Sequence, residues 1–401
     1  MLKNFIIVAT GAALITFGGG EAIQAASFEV IASGLDNPRG LTFGPDGALY
    51  VTEAGRGGTE PLITLRGQEY FYGATSQVIR IQNGIIESVV TGLPSFALAD
   101  GSDATGAHDI AFDTSGNALV TLGWGGGSSS QRDSLGIPDF GNLISINKFD
   151  GGSSWKKVAD LAAFENLNNP DDGAIDSNPF YFLIQDNTAV IADAGANALL
   201  GVGLDTGEIK VESVFARRLV PNPTGGPDIP MEAVPTSVAI APDGTFNVSQ
   251  LTGFPFPQYG ARIYQVDGNE PEIYADGFTN IIDFTLDNNS NLLVLEYATN
   301  SILSGDPTGA LIRVAPDGTR TTIASEGLIS PTALAIGSDD NIYVVNNGNS
   351  AGEGEILRIK ATSVSEPSSM LGLLVLGACG TVSQLWRKHK WKRNIFVGYR
   401  N

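Results

Sequence analysis

The chain repeats one pattern of apolar and polar positions several times. In "NPRGLTFGPDGALYVTE", residues 37–53, an apolar run leads into a polar turn at Asp46-Gly47 and then into a strand of alternating character. The same frame returns in "VPTSVAIAPDGTFNVSQ" and in "SPTALAIGSDDNIYVVN". Because Asp-Gly supplies the positive φ that a tight hairpin needs, each copy predicts two antiparallel strands joined by a short turn.

Alignment on this turn gives six units. The turn positions are Gly47, Gly116, Asn187, Gly244, Ser290 and Asp340, and the third unit is the loosest match because it lacks the Asp-Gly pair. A third strand follows each pair, but only five fourth strands follow. The segment "FEVIASGL", residues 28–35, has the pattern of the missing one.

An N-terminal strand that completes the last sheet closes a ring and removes exposed sheet edges. We therefore predict an all-β fold, a six-bladed β-propeller over residues 27–361 that is closed by this strand. A β-sandwich with a second domain is the alternative, but that architecture does not explain six repeated units with the same strand and turn pattern.

The two ends of the chain have the patterns of sorting segments. Residues 1–26 carry an early lysine, an apolar run and small residues near Ala26, as a secretory signal peptide does. Residues 362–401 contain an apolar run from about Met370 to Trp386, followed by a basic cluster at 387–393. This run predicts a membrane-spanning helix with its basic end in the cytoplasm. We expect an exported protein of the periplasm or cell surface, anchored in the membrane at first by this helix.

Composition narrows the possible partners. The 401 residues include 50 glycines and only 16% charged residues, which suits many short strands and turns. The net charge of −20 makes nucleic acid and anionic lipid poor partners for the body of the protein. The single cysteine, Cys379, lies in the C-terminal tail, so the body is predicted to have no disulfide and no catalytic thiol.

The first strand of each blade lines the central channel of a propeller. We call the face that carries the turns between first and second strands the bottom face, and the opposite face the top face. The long connections all belong to the top face, at 55–76, 123–141, 219–234, 251–260 and 298–308. Because function is usually carried by variable loops on a rigid scaffold, the top face is the predicted location of the site.

Oxygen-bearing side chains recur where each second strand reaches the top face. The six residues at this position are Glu53, Leu122, Asp193, Gln250, Glu296 and Asn346, and all but Leu122 carry a side-chain oxygen. A ring of such oxygens suits a hard divalent cation such as Ca²⁺, and Glu53, Asp193, Glu296 and Asn346 are the predicted metal ligands. The alternative is that these side chains cap turns.

Polar residues also recur where each blade begins at the top face. They are Asn37, Arg39, His108, Asp109, Asn178, Asn280, Asp283 and Thr332. We predict that Arg39, Asp109, Asn178, Asn280 and Asp283, together with Gln250, bind substrate. His108, the one histidine of the body, is either a general acid and base or a packed, hydrogen-bonded imidazole.

One top-face loop is rich in aromatic residues. In "LTGFPFPQYGARIY" the prolines hold Phe254, Phe256 and Tyr259, which predicts stacking of an aromatic ligand or, alternatively, packing into the rim. The segment "GWGGGSSS" lacks the lysine and the strand-to-helix context of a phosphate loop. No nucleophile elbow, zinc-protease motif or dinucleotide fingerprint is present.

Several segments resemble one protein family. "GLDNPRGLTFGPDGALYVTEAGRGG", "NNPDDGAIDSNPF", "LTGFPFPQYGARIY" and "GFTNIIDFTLD" resemble the ScyD/ScyE family, exported propellers named for the scytonemin pigment pathway of cyanobacteria. The tail is similar to a PEP-CTERM sorting signal, although Ser365 stands where the first proline of the motif would be. The fold is also similar to NHL and gluconolactonase propellers. The resemblance implies a role in late periplasmic steps of an aromatic pigment pathway, and it carries no agreed catalytic residues.

Two functional hypotheses follow. In the first, the protein binds a small aromatic metabolite at the top face or associates with other pathway proteins, and sorting machinery processes its tail. In the second, it is a metal-dependent, lactonase-like hydrolase or an oxidative coupling enzyme, with a cation held by the oxygen ring and His108 as base.

Overall fold

The computed structural model describes residues 28–360, except 150, 153 and 269. The predicted signal peptide, membrane-spanning helix, basic cluster and PEP-CTERM-like tail lie outside these residues. None of the helices within the described part is long and apolar enough to cross a membrane.

The described chain forms six antiparallel blade sheets, five of four strands and one of five, and the prediction of a six-bladed β-propeller is confirmed. The N-terminal strand β1 (Phe28–Leu35) belongs to the last blade.

The strands of the first three blades follow in chain order. Blade 1 contains β2 (Pro38–Phe43), β3 (Leu49–Glu53), the additional strand β4 (Glu60–Leu65), β5 (Gln68–Gln82) and β6 (Ile85–Ala97). Blade 2 contains β7 (Ala107–Phe112), β8 (Ala118–Leu122), β9 (Asn142–Ile146) and β10 (Trp155–Asp160). Blade 3 contains β11 (Pro179–Gln185), β12 (Thr188–Asp193), β13 (Ala198–Gly203) and β14 (Ile209–Val214).

The second half of the ring follows a hairpin made of β15 (Arg218–Val220) and β16 (Ile229–Met231). Blade 4 contains β17 (Pro235–Ile240), β18 (Phe246–Gln250), β19 (Ala261–Val266) and β20 (Glu272–Phe278). Blade 5 contains β21 (Ile281–Leu286), β22 (Leu292–Glu296), β23 (Ala310–Val314) and β24 (Arg320–Ala324). Blade 6 contains β25 (Leu334–Ile336), β26 (Ile342–Asn346), β27 (Gly354–Ile359) and β1.

The ring closes where the sequence predicted. Strand β1 pairs antiparallel with β27, and Phe28 lies opposite Ile359. The side chains of Glu29 and Arg358, which are neighbours across this pair, form an ion pair at 2.5 Å. The first and last strands of the propeller therefore belong to one sheet.

Positive φ angles confirm most of the turn alignment. Gly47, Ser290 and Asp340 have φ of 73°, 60° and 58°. In the third unit the positive φ belongs to Asp186 (53°) and not to Asn187, because a two-residue turn replaces the longer one there.

The apolar core lies between neighbouring blades. Six clusters of buried residues each join the side chains of two adjacent sheets, for example Val78 and Val90 of blade 1 with Ile110 and Val120 of blade 2. A smaller cluster under the long top-face connections contains Phe96, Trp124 and Phe140. Burial of these faces, on the order of 25 cal/mol per Å² of apolar surface, stabilises a body without cysteine.

Two short helices lie in the top-face connections of blade 2. They are α1 (Ser129–Ser134) and α2 (Leu161–Asn168), and a 3₁₀ turn at Ile302–Ser304 lies in blade 5. Sequence analysis did not predict α2, because "WKKVADLA" has the pattern of a fourth strand. The strand ends at Asp160, whose carboxylate caps the helix by accepting a hydrogen bond from the N–H of Ala163 at 2.9 Å.

Candidate functional site

The central channel is closed towards the top face and open towards the bottom face. Near the top, the first strands and the residues just before them are mostly buried, as at Pro38, His108, Thr236, Ile281 and Thr332. Near the bottom, the first strands are half-exposed, as at Phe43, Phe112, Ile184, Thr285 and Ile336. The accessible part of the channel therefore lies towards the bottom face, whereas the sequence placed the polar groups around a channel mouth at the top face.

Tyr181 closes the channel. This side chain of β11, in blade 3, is 5% exposed. Its hydroxyl lies 2.7 Å from the carbonyl oxygen of Arg39 in blade 1 and also contacts the carbonyl oxygen of Thr332, beside blade 6. The phenol therefore spans the ring and separates the top-face loops from the space below.

Below Tyr181 the six first strands enclose a cavity of about 300 Å³. Every blade contributes to its wall. The aromatic residues of the wall are Phe43, Phe112, Tyr181, Phe182 and Phe284. The acidic residues are Asp109 and Asp283, with the hydroxyl of Ser237 beside them. The wall combines aromatic side chains with polar groups, and polar atoms make up the larger part of its accessible surface. Convergent polar groups beside aromatic rings are typical of a small-molecule site.

Four side chains lie at the same level of the channel, those of Asp109, Tyr181, Ser237 and Asp283. In its blade, each of these residues comes directly before the first-strand residue that pairs with the central valine or isoleucine of the second strand. Asp109 belongs to blade 2 and Asp283 to blade 5, which are opposite each other in a ring of six. The channel therefore carries one carboxyl group on each of two facing sides.

Both carboxyl groups are held by hydrogen bonds from neighbouring blades. Asp283 accepts from the hydroxyl of Ser237 at 2.7 Å and from the N–H of Leu334 at 2.8 Å. Asp109 accepts from the N–H of Phe182 at 3.1 Å. These donors fix the positions of the two groups and leave part of their acceptor capacity unused.

Burial changes the acidity of this pair. Burial raises the pKa of Asp283 to about 7 and the pKa of Asp109 well above its usual value. The charge of Asp283 adds to the rise at Asp109, and no positively charged group of the described residues offsets either shift. Near pH 7 the pair therefore offers both a hydrogen-bond donor and an acceptor.

His108 is a packed imidazole. Its Nδ1 lies 3.0 Å from the carbonyl oxygen of Pro179, so Nδ1–H donates, and its ring contacts Phe180 at 4.8 Å. Gly123 packs directly against the ring, where a Cβ would find no room. Burial and then the charge of Arg39 lower the pKa of His108 to about 3. The geometry agrees with the packed alternative, and the acid and base role stays a prediction.

The predicted metal ligands are not brought together. Each accepts a backbone hydrogen bond from the segment that leads into its own blade. Glu53 accepts from Asp36, Asp193 from Asn178, Glu296 from Thr279 and Asn346 from Ile329, at 2.5, 2.6, 2.7 and 2.7 Å. Among residues 28–360, as far as they are described, no three or more His, Cys, Asp or Glu side chains form a group that could hold a metal ion. These oxygens instead satisfy buried N–H groups, as the capping alternative expected.

The remaining predicted binding residues hold top-face connections in place. Arg39 donates to the carbonyl oxygen of Ala104 at 2.7 Å, and Gln250 donates to that of Ala233 at 3.1 Å. Asn178 accepts from the N–H of Trp124 at 3.0 Å.

Asn280 fastens a neighbouring connection. It donates to the carbonyl oxygen of Leu251 at 2.9 Å and accepts from the N–H of Ile302 at 3.0 Å. Of the predicted substrate-binding residues, only Asp109 and Asp283 line the channel cavity.

The aromatic loop lies on the top face and does not line the cavity. Phe254 is 52% exposed and Tyr259 is 74% exposed, so they do not tuck into the rim. Phe256 is half-buried and contacts Phe254 edge-on at 6.4 Å. Ser301 fastens the loop by donating to the carbonyl oxygen of Phe256 at 2.5 Å.

Sequence analysis missed Tyr181 and Ser237. The unit alignment places Ser237 level with Asp109 and Asp283, so a comparison along that column would have found it. Tyr181 was hidden because the third unit has a shorter turn, which shifts its alignment by one residue.

The fold resembles several solved structures at low sequence identity. A gluconolactonase from Xanthomonas campestris matches with a TM-score of 0.50 and 9% identity, over 84% of this chain and 90% of that one. Regucalcin, a calcium-binding protein from Agrobacterium tumefaciens, matches with a TM-score of 0.50 and 12% identity, over 84% and 96%. An aldose sugar dehydrogenase from Streptomyces coelicolor matches with a TM-score of 0.51 and 11% identity, over 84% and 99%.

These likenesses define the class of fold, a gluconolactonase-like six-bladed propeller, and at such identities they show the fold alone. No family model and no curated protein matches the chain.

Proposed function

We propose that this protein is an exported binding propeller that takes a small aromatic molecule with hydroxyl or N–H groups into its channel from the bottom face. The observation that carries the proposal is the facing pair Asp109 and Asp283 inside a cavity that aromatic side chains also line. The aromatic wall would contact the rings of the ligand, and the carboxyl groups would exchange hydrogen bonds with its polar groups.

The size of the cavity limits the ligand. A volume of about 300 Å³ is at the lower end of the range for small-molecule sites. We infer a ligand of one or two rings, such as an indole or a phenol. The resemblance to the ScyD/ScyE family supports a late extracytoplasmic role in an aromatic pigment pathway, with the binding site in the channel and not among the top-face loops.

A lactonase-like activity is the second candidate. The fold likeness to a gluconolactonase is consistent with it, and a carboxyl group with a pKa of about 7 is suited to general acid and base chemistry. In this alternative the Asp109 and Asp283 pair would act on the substrate, in place of the predicted metal and His108.

Calorimetric titration of the purified protein with a panel of indoles and phenols tests the binding proposal. We expect saturable binding that weakens at least tenfold in Asp109→Asn and is lost in Ala111→Phe, where a ring fills the half-exposed channel. Asp317→Asn, an exposed turn carboxylate, is the matched control and should bind as the unchanged protein does. Equal affinity in Ala111→Phe would place the ligand elsewhere and overturn the proposal.

The lactonase alternative has its own readout. Release of acid from a panel of sugar and aromatic lactones is followed at constant pH. Hydrolysis that disappears in Asp109→Asn and Asp283→Asn but persists in Asp317→Asn would favour the enzyme over the binding protein.

A further inference from the structure

A buried carboxylate on α2 has no hydrogen-bond partner. Glu165 is 1% exposed, and neither of its side-chain oxygens accepts a hydrogen bond. The N–H of Asp176 is close enough to lower the pKa of Glu165, but it does not reach ordinary hydrogen-bond geometry. An isolated buried carboxylate is strongly unfavourable unless a proton or a cation compensates it.

Three further acidic groups lie close enough to Glu165 for their charges to raise its pKa. Asp171 and Asp176 belong to the loop after α2, residues 169–178, and Asp193 ends β12. Asp193 is fully engaged, because it accepts from the hydroxyl of Ser177 at 2.7 Å and from several N–H groups. In contrast, Oδ1 of Asp176 and Oδ1 of Asn169 are buried without any partner.

The described protein groups do not compensate this charge. Burial, then Asp193 and Asp171, raise the pKa of Glu165 to about 8. Arg66 lowers the pKa of Asp176, but no salt bridge of the described residues reaches Asp176 or Glu165. The loop is itself held by Asp171, whose carboxylate accepts from Gly173 N–H at 2.7 Å and from the amide of Asn197 at 2.9 Å.

We propose that the space between α2 and the loop 169–178 binds a calcium ion through the carboxylates of Glu165 and Asp176 and the amide oxygen of Asn169. This site is separate from the channel cavity and from the predicted ring of Glu53, Asp193, Glu296 and Asn346. Its role is structural, because the ion fastens the blade 2 to blade 3 connection to the top of the ring.

The chemistry of the donors selects the ion. Every unpartnered atom here is an oxygen, and a hard cation with flexible coordination accepts a mixture of carboxylate, amide and water ligands. Mg²⁺ is less suited, because it requires a smaller octahedral shell of fixed geometry. The described residues contain no group of three or more His, Cys, Asp or Glu side chains that could hold a metal ion. The proposed site differs from such a group because only two of its ligands are carboxylates.

Titration of the chelator-treated full chain with CaCl₂ tests the proposal. We expect one site per chain, and a melting temperature that rises by about 3 °C or more at a hundredfold excess over Kd. MgCl₂ at the same ionic strength should give a smaller shift. Glu165→Gln keeps the shape of the side chain and should lose the binding heat while remaining folded.

The control separates this site from the predicted ring. The Glu53→Gln/Glu296→Gln double variant should retain the calcium response, because those carboxylates serve backbone donors of their own blades. Two outcomes would overturn the proposal. One is the absence of binding heat in the unchanged protein, which would leave Glu165 as a buried neutral acid. The other is binding that survives in Glu165→Gln, whether or not the double variant retains it.

Discussion

The hydroxyl of Tyr181 lies 2.7 Å from the carbonyl oxygen of Arg39, which joins blade 3 to blade 1 across the channel. We expect Tyr181→Phe to lower the free energy of unfolding by about 1–3 kcal/mol, because it removes the donor from buried carbonyl oxygens. Urea unfolding measures this change. Tyr274→Phe, at an exposed tyrosine of β20, is the control and should change stability little. An equal loss in both variants would contradict the bridging role.

The affinity of the channel for a hydrogen-bond donor should depend on pH. The pKa of Asp283 is raised to about 7, so the carboxylate is ionised above that pH and accepts more strongly. Affinity for a phenol should therefore rise roughly tenfold between pH 6 and pH 8, following the ionised fraction. Titrations at several pH values measure it. Asp283→Asn should give a flat profile, whereas a profile that keeps its slope would assign the titration to another group.

Glu165 should make the metal-free protein less stable as pH rises. Its pKa of about 8 in the folded state lies above the usual value of 4.5, so the folded state holds the proton more tightly than the unfolded state. Stability contributed by this proton is present below about pH 4.5 and is lost as pH rises to about 8. In chelator, Glu165→Gln should raise the melting temperature at pH 8 but not at pH 4.5. No difference at pH 8 would contradict the uncompensated burial.

The ring closure offers a site for an engineered disulfide. Ser33 and Glu355 lie opposite each other in the β1–β27 pair, and opposed residues of antiparallel strands are within disulfide distance. The described body has no cysteine of its own. Ser33→Cys/Glu355→Cys should form the bond and stabilise the oxidised protein by about 5 kcal/mol, because the closed loop is very long. Melting with and without reductant measures this, and each single variant is a control that should not respond.

His108 should remain neutral throughout the physiological range. Its pKa is lowered to about 3 by burial, whereas an exposed histidine titrates near 6.5. The imidazole signals of His108, assigned by comparison with His108→Gln, should not shift between pH 5 and pH 8 in NMR spectra. A shift centred near pH 6.5 would restore the general-base hypothesis.

The fold was predictable because the pattern of two strands and a turn recurs six times along the chain. Repeated turns identified the blades, and the incomplete last unit identified Phe28–Leu35 as the closing strand. Asp109 and Asp283, which were predicted to bind substrate at the top face, line the channel cavity, and their binding role stays a prediction. The turn position was predicted wrongly only in the third unit, where the turn is shorter and the residue with positive φ is Asp186.

The character of the site was not predictable to the same degree. Glu53 and Glu296 resemble metal ligands in sequence, but the backbone N–H groups that they serve come from segments whose path is decided by tertiary packing. Which end of the channel is open depends on the side chain of Tyr181, because it crosses the ring near the top face. The partnerless state of Glu165 likewise depends on a helix that sequence analysis did not find.

The pairing of the first strand with the last also constrains how the protein is made. Glu29 and Arg358 are separated by 329 positions, so during synthesis the first strand cannot pair until nearly the whole propeller has been made. Such distant pairing is slow, and an interrupted chain keeps two unpaired edges that invite aggregation. Only a polypeptide that has been made to the end of β27 can therefore complete the ring.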